Sequence, residues 1–412
     1  MSRNPSTRPS LGHRLSHSIL TWVIGAILLA LIVGSLRIGG HPIIPKPVGN
    51  VFATFSDLFS QFLSFVIPLI IVGLIAPAIG ELGRGAGKLL GLTAGIAYAS
   101  TVFAGMMGLG ASLVVLPRLL VSNPGELADP SKGLLEPFFT IKIPQLFGEM
   151  SALVLAFIMG LGMTVLKGDA LRRGFDEVRE VINLVITKVI VPLLPLYILG
   201  IFLNMTHSGQ AFTIMVTFLG VVIFVFLLTW IMLALQHGTA GLICGRNPVR
   251  MLVAMLPAYV TALGTSSSAA TIPVTLRQSI RSGTSTPVAS FVIPLCATIH
   301  LAGSTIKITC FALAVMMLFG MPIKVLTMVG FVCLLGVLMV AAPGVPGGAI
   351  VTASALLSSM LGFTEAQVGL MVATYIAIDS FGTATNVTGD GAIAAIVDRV
   401  AGRRATSTPE PT

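Results

Sequence analysis

The sequence predicts an all-α membrane protein of eight transmembrane helices and two re-entrant helical hairpins. Three observations carry that expectation. Of 412 residues, 55% are hydrophobic and only 9% charged, with a mean hydropathy of +0.98. A soluble domain carries about 25% charged residues, so this chain lacks the polar groups to cover a water-facing surface. Basic residues gather in alternate loops between apolar stretches. Two apolar stretches are interrupted, at GTSSSAATIPVT (264–275) and AAPGVPGG (341–348), by residues that make poor spanning helix.

The N-terminal segment 1–18 is polar and basic (Arg3, Arg8, Arg14). It leads into an apolar stretch too long for a signal peptide and without a small-residue cleavage site, which reads as the first span. Apolar segments fall at about 19–36, 50–80, 89–117, 133–166, 181–205, 211–236, 287–319, 325–341 and 366–397. Several exceed the ~20 residues of a simple span, which predicts tilted or interrupted helices. With the N-terminus cytoplasmic, the loops bearing Arg84 and Lys88, then Lys167, Arg172, Arg173 and Arg179, then Arg246 and Arg250, share that side. So does the tail with Arg399, Arg403 and Arg404. The opposite loops hold only Arg37 and Lys46, then Arg118 and Lys132. Both termini are therefore expected in the cytoplasm. Lys142, Lys188 and Lys324 read as snorkelling or helix-end residues.

Six ordinary spans return the chain to the cytoplasmic side near residue 245, and an even number of crossings must follow before the tail. Region 251–284 is too polar in its middle for a clean span, yet Arg277 and Arg281 follow that middle. If the region dips in and returns, both arginines are cytoplasmic. Region 322–360 has the same character around AAPGVPGG. Both are expected to be helix–turn–helix hairpins entering from opposite sides, with tips meeting near Asp379. Paired interrupted segments point to a transporter's binding site, where non-helical backbone is tolerated because it lines a cavity.

The formal charge of +9 is explained by orientation in a lipid bilayer. Aromatic and basic residues are nowhere interleaved as a nucleic-acid surface would require. Cys244, Cys296, Cys310 and Cys333 have no CxxC spacing and read as small free hydrophobes.

Acidic residues are informative by their scarcity. None occurs between Glu180 and Glu365, and then Asp379 and Asp390 appear inside an apolar segment. A carboxylate at helix centre costs about 2.5–3.5 kcal/mol on insertion scales, so such residues face a bundle interior or an aqueous cavity. Asp379, Thr383, Asn386 and Asp390 stand at i, i+4, i+7 and i+11, on one helix face. The bland alternative is a polar face sealed by hydrogen bonds. Against it, no basic residue nearby in sequence neutralises both acids. Carboxylate and carbonyl oxygens suit hard cations such as Na⁺. One carboxylate equally suits a substrate ammonium, while the serine-rich tip offers donors to a carboxylate. Together these describe a site for an amino-acid zwitterion.

Four motifs in order, SSSAATIPVT, PLCATIHLAGST (294–305), GVPGG (344–348) and D-x₆-N-V-T-G-D (379–390), closely resemble the dicarboxylate/amino acid:cation symporter family. Weaker echoes lie in FVIPLIIVGLIAPAIGELGRGAGK (65–88). The resemblance implies inverted repeats, a homotrimer and the elevator-type glutamate-transporter fold. It implies scaffold helices at 19–85 and 133–207, a mobile transport domain at 86–118 and 208–401, and a cytoplasmic tail at 402–412. It places substrate contacts at Ser267, Ser268, Ser304, Val345, Gly347, Asp379 (amino group), Thr383 and Asn386. It places a cation, with Na⁺ on the Asp390 carboxylate, among Asn386, Asp390 and carbonyls around Cys296, Thr298, His300 and Ala342.

The departures matter too. The position of the arginine that pairs with acidic substrates is Gly382 here, which favours neutral amino acids. The family's NMDGT reads His300, Leu301, Ala302, Gly303, Ser304, so the aspartate of a third sodium site is Ala302. His300 is either a hydrogen-bonded structural residue or a proton carrier near Asp390. Lys307 is either a buried ion-pair partner, a snorkelling side chain, or a fixed cation replacing a lost sodium site.

The expectation is a cation-coupled (Na⁺ or H⁺) symporter of small neutral amino acids such as serine or threonine, in a bacterial-type inner membrane, with no cofactor. A dicarboxylate or acidic amino acid is the alternative. A dicarboxylate without an amino group would leave Asp379 unpaired. An intramembrane hydrolase with Ser268 and His300 would need an oxyanion hole, and no GxSxG accompanies the serine.

Overall fold

The computed structural model describes residues 19–35, 37–38, 41–42, 44–83, 87–120, 136–207, 211–342 and 347–405. They are almost entirely helical. After α1 (Ile19–Ser35), a two-residue antiparallel bridge joins Arg37–Ile38 to His41–Pro42. Then come α2 (Lys46–Gly83), α3 (Gly87–Leu119) and α4 (Glu149–Val165). Next, α5 (Ala170–Val185) runs through a π turn (Ile186–Ile190) into α6 (Val191–His207), followed by α7 (Ala211–Cys244). A helix pair, α8 (Pro248–Thr265) and α9 (Ser268–Arg281), precedes a broken helix, α10 (Thr286–Ile299) and α11 (Ala302–Leu318). The same sequence repeats: a pair, α12 (Val325–Ala341) and α13 (Gly348–Leu361), then a broken helix, α14 (Glu365–Ala377) and α15 (Asp379–Ala405).

Among the described residues six helices are long and apolar enough to cross a membrane, or seven if the bent pair α14–α15 is one span. Exposed Leu161, Leu227, Ile231 and Val260 leave apolar side chains on the outer surface, as hydrocarbon requires. α8 is among the six, with the lowest hydropathy of them, 1.2. Composition alone therefore does not separate a re-entrant helix from a spanning one.

One expected segment is corrected, and two long ones are interrupted helices. The stretch 133–166 is not one helix: residues 136–148 are irregular and α4 starts at Glu149. Pro137 and Pro144 remove donors and restrict the residues before them, and Phe138 N–H is tied to Thr54 Oγ1 of α2 at 2.9 Å. The segments 287–319 and 366–397 are each broken, at His300–Leu301 and at Ile378, the second with a 62° bend.

Side-chain contacts close both helix pairs at their open ends. Arg246, before α8, donates to the Ser282 carbonyl after α9 at 3.4 Å. Gln367, after α13, reaches Met321 Sδ, before α12, at 3.5 Å. Each pair thus ends beside the place where it began. Ser285 also caps onto Asp398, its N–H 3.0 Å from Oδ2, which joins the start of α10 to the far part of α15.

Packing falls into two groups. Helices α1, α2, α4, α5 and α6 pack on one another. Helices α3, α7 to α11 and α15 form the other group, while α12, α13 and α14 touch both: α12 bridges from α3 to α2, α13 packs on α2 and α4 as well as on α12, and α14 on α1 and α6 as well as on α11. Helix α11 is buried along nearly its whole length, so polar side chains on it such as Ser304 and Lys307 meet their partners inside the protein.

Candidate functional site

The two helix breaks meet beside α15. A break frees backbone groups that a continuous helix would use internally. At the first break, Gly303 N–H, one of the unpaired donors opening α11, is taken by Asn386 Oδ1 at 2.8 Å. Asn386 Nδ2 donates to Ser304 Oγ at 3.2 Å, and Tyr375 O–H donates to the same oxygen at 2.8 Å. Thr383 Oγ1 returns to the Asp379 carbonyl at 3.1 Å. Asp379, Thr383, Asn386 and Ser304 are all buried.

At the second break stands Asp379, the first residue of α15. Its Oδ2 accepts Gly347 N–H at 2.8 Å. Gly347 precedes α13 with φ 77° and ψ −7°, a left-handed conformation that glycine adopts without a Cβ penalty. This sets the start of α13 on Asp379. Its Oδ1 lies 3.2 Å from Lys307 Nζ, and the Lys307 side chain is fully buried. The ammonium also approaches the carbonyls of Asp379 and Ile378 at 3.4 and 3.5 Å, exposed by the break, and lies 3.8 Å from the centre of the Tyr375 ring. A carboxylate, two carbonyls and an aromatic face make a complete shell for a buried cation.

Three turns further along α15, roughly 16 Å by helical rise, Asp390 Oδ1 meets His300 Nδ1 at 2.8 Å. His300 Nε2 faces Ser100 Oγ at 3.1 Å and Gln236 Nε2 at 3.2 Å, and Gln236 Nε2 donates to Ser100 Oγ at 2.9 Å. With that amide orientation Nε2 is an acceptor, so the ring proton sits on Nδ1 and points at Asp390. Gln236 Oε1 and Asp390 Oδ2 are buried without a hydrogen-bond partner.

The remaining expected residues are distributed unevenly. Ser268 opens α9 and is buried where α9 packs on α15. Ser267 caps α9, its Oγ accepting from Ala270 N–H at 3.3 Å. The Cys296 carbonyl is taken by His300 N–H at 2.9 Å. Ala342 is buried at the end of α12. The Thr298 side chain is exposed and returns to the Leu295 carbonyl at 2.7 Å. Val345 lies outside the described residues. No group of three His, Cys, Asp or Glu side chains forms a metal cage among the described residues, so a cation at Asp390 would complete its shell with backbone and amide oxygens.

The acids find their basic neighbours through the fold. The two acids are not without basic neighbours: Lys307 pairs with Asp379, and His300 contacts Asp390. Neither neighbour is near in sequence, because both come from α10–α11 packed against α15. A Cβ at Gly382 would overlap Lys307 Cε and Nζ, so the missing side chain there is what admits the lysine. Sequence reasoning passed over Ser100, Gln236 and Tyr375. Gln236, a lone amide in an apolar helix, was the readable signal.

A family model described as the sodium:dicarboxylate symporter family matches residues 19–400. The serine/threonine transporter SstT of Acinetobacter baumannii strain AYE is 28% identical over 402 residues, covering 92% of this chain and 96% of that protein. SstT of strain ATCC 17978 is 27% identical over the same span. The family and these relatives are transporters, which removes the hydrolase alternative, and His300 is held by Asp390, Ser100 and Gln236. With its apolar helices and its family match extending over nearly the whole chain, this multi-pass membrane protein belongs to the sodium:dicarboxylate symporter family.

Proposed function

We propose that the protein is a cation-coupled symporter of small neutral amino acids such as serine or threonine. One observation carries the reading: a buried line of polar groups, Asp379, Thr383, Asn386 and Asp390, runs along α15 where two helix breaks and the start of α13 converge. Asp379 is the acceptor for a substrate ammonium. Ser267, Ser268, Ser304, Asn386 and Gly347 surround its carboxylate and side chain. Asp390, with its unpartnered Oδ2, takes the coupling Na⁺, helped by Asn386 and carbonyls at Cys296, Thr298, His300 and Ala342. The His300–Asp390 contact is the place for a coupled proton.

The architecture belongs to the same proposal. The closed ends of α8–α9 and α12–α13 support two re-entrant hairpins beside eight spans. The two packing groups support a scaffold at 19–85 and 133–207 and an elevator-like transport domain at 86–118 and 208–401, assembled as a homotrimer in the inner membrane with both termini cytoplasmic. The test is uptake by proteoliposomes across a panel of amino acids and dicarboxylates, with imposed Na⁺ or pH gradients. Gradient-driven uptake of serine or threonine supports the reading, and a preference for glutamate, aspartate or succinate overturns it.

A second reading, an acidic amino acid or dicarboxylate as substrate, has one observation in its favour. The Lys307 ammonium fills the space above Gly382, where a cation can meet a substrate carboxylate. Pairing with Lys307 also removes the objection that such a substrate would leave Asp379 bare.

A further inference from the structure

Asn386 and Tyr375 converge on one buried hydroxyl. Asn386 Oδ1 accepts Gly303 N–H at 2.8 Å. A backbone N–H can only donate, so the amide has one orientation open to it, oxygen toward Gly303 and nitrogen toward Ser304. Asn386 Nδ2 therefore donates to Ser304 Oγ, at 3.2 Å. Tyr375 O–H donates to the same oxygen at 2.8 Å. Ser304, Tyr375 and Asn386 are all buried.

A serine hydroxyl has two acceptor positions and one proton. Both acceptor positions of Ser304 are filled, one by an amide and one by a phenol. Its own proton goes to no acceptor among the described residues. A buried donor left unmade costs about 1–3 kcal/mol. The arrangement thus leaves beside the polar face of α15 a hydroxyl that can only donate. The Tyr375 ring has a separate contact, its centre 3.8 Å from Lys307 Nζ. The phenol oxygen serves Ser304 and the ring face serves Lys307, and removing the oxygen alone separates the two.

We propose that Tyr375 is a positioning residue for the substrate: with Asn386 it commits the Ser304 hydroxyl to donate to an acceptor oxygen of the bound amino acid, either its carboxylate or its side-chain hydroxyl. The inference rests on the amino-acid symporter reading above. Tyr375 acts through Ser304 and does not itself touch the ligand. A ligand lacking the matching oxygen leaves the donor unpaired and is rejected on that account. The rival arrangement reverses one bond. Ser304 then donates to the phenol, which turns to Asp379 close by, and Ser304 has no proton left for a ligand.

The experiment is calorimetric titration of the full chain in detergent and Na⁺ buffer with serine, alanine and serinamide. Alanine lacks the hydroxyl, serinamide lacks the charged carboxylate, and all three keep an ammonium for Asp379. A wild type that binds no neutral amino acid defeats the symporter reading, independently of Tyr375. Tyr375→Phe keeps the ring against Lys307 and removes only the hydroxyl. Serine affinity relative to alanine or relative to serinamide should fall about fivefold or more, and the ratio that moves names the oxygen. Ser304→Ala should move the same ratio, and the double variant should move it no further, because Tyr375 acts through that hydroxyl. Ser304→Thr, which keeps the hydroxyl, should hold the ratio within about twofold. Unchanged ratios in Tyr375→Phe, or equal losses for all three ligands, misfolding included, make the tyrosine structural and overturn the proposal. Additive losses in the double variant overturn it as well.

Discussion

His300 Nδ1 and Asp390 Oδ1 lie 2.8 Å apart in a fully buried contact, and the other imidazole nitrogen faces Gln236 and Ser100. Two elements, the break after α10 and the middle of α15, are locked together by this pair. If a proton travels here, His300→Asn removes pH-gradient-driven uptake while Na⁺-driven uptake persists. Asp390→Asn lowers uptake about tenfold or more under either gradient, since a charge-assisted contact is worth about 1.5–3 kcal/mol. Uptake against imposed gradients in the two variants decides it. An unaltered pH response in His300→Asn would make the histidine purely structural.

Breaking one partner of a buried ion pair typically costs about 3–5 kcal/mol, whereas removing both charges costs little. Asp379→Asn and Lys307→Met should each lower the melting temperature in detergent, and the double variant should recover most of the loss. Asp379→Asn should also abolish serine binding, measured calorimetrically, because the ammonium loses its charged partner. A double variant no more stable than the singles would show that the pair is not coupled.

Gly382 bears on specificity through the space it leaves. A Cβ there meets Lys307 Cε and Nζ, so Gly382→Ala should depress uptake about tenfold by displacing the lysine from Asp379. Gly382→Arg alone should fail for the same reason. Gly382→Arg combined with Lys307→Ala should shift uptake toward aspartate and glutamate. Competition assays with these acids against labelled serine read the outcome.

Gly347 combines a left-handed backbone with an N–H on Asp379. An L side chain in that conformation costs about 1–2 kcal/mol. Gly347→Ala should weaken serine affinity roughly tenfold, and Gly347→Pro, which also removes the donor, should weaken it further. Titration calorimetry ranks the two.

Topology is checked by thiol labelling. In a cysteine-free background, Arg250→Cys and Arg281→Cys should react with an impermeant maleimide only from the cytoplasmic side. Lys324→Cys should react only from the other side. Labelling of positions 250 and 281 from opposite sides would make α8–α9 a crossing.

The membrane class, the helix-forming segments and the two interruptions were legible in the sequence, because hydropathy and charge are local properties. The polar face of α15 was legible too, since helical spacing alone aligns Asp379, Thr383, Asn386 and Asp390. The positions of the breaks within 287–319 and 366–397 were not, because their freed backbone groups find partners on other elements, such as Asn386 and Lys307. What only the tertiary structure decided is the company each acid keeps. Lys307 stands 72 residues from Asp379, and His300 stands 90 from Asp390. Burial in a low-dielectric bundle forces charges to pair with whatever packing brings within reach, and that choice is made by how α11 lies against α15, which no local pattern encodes.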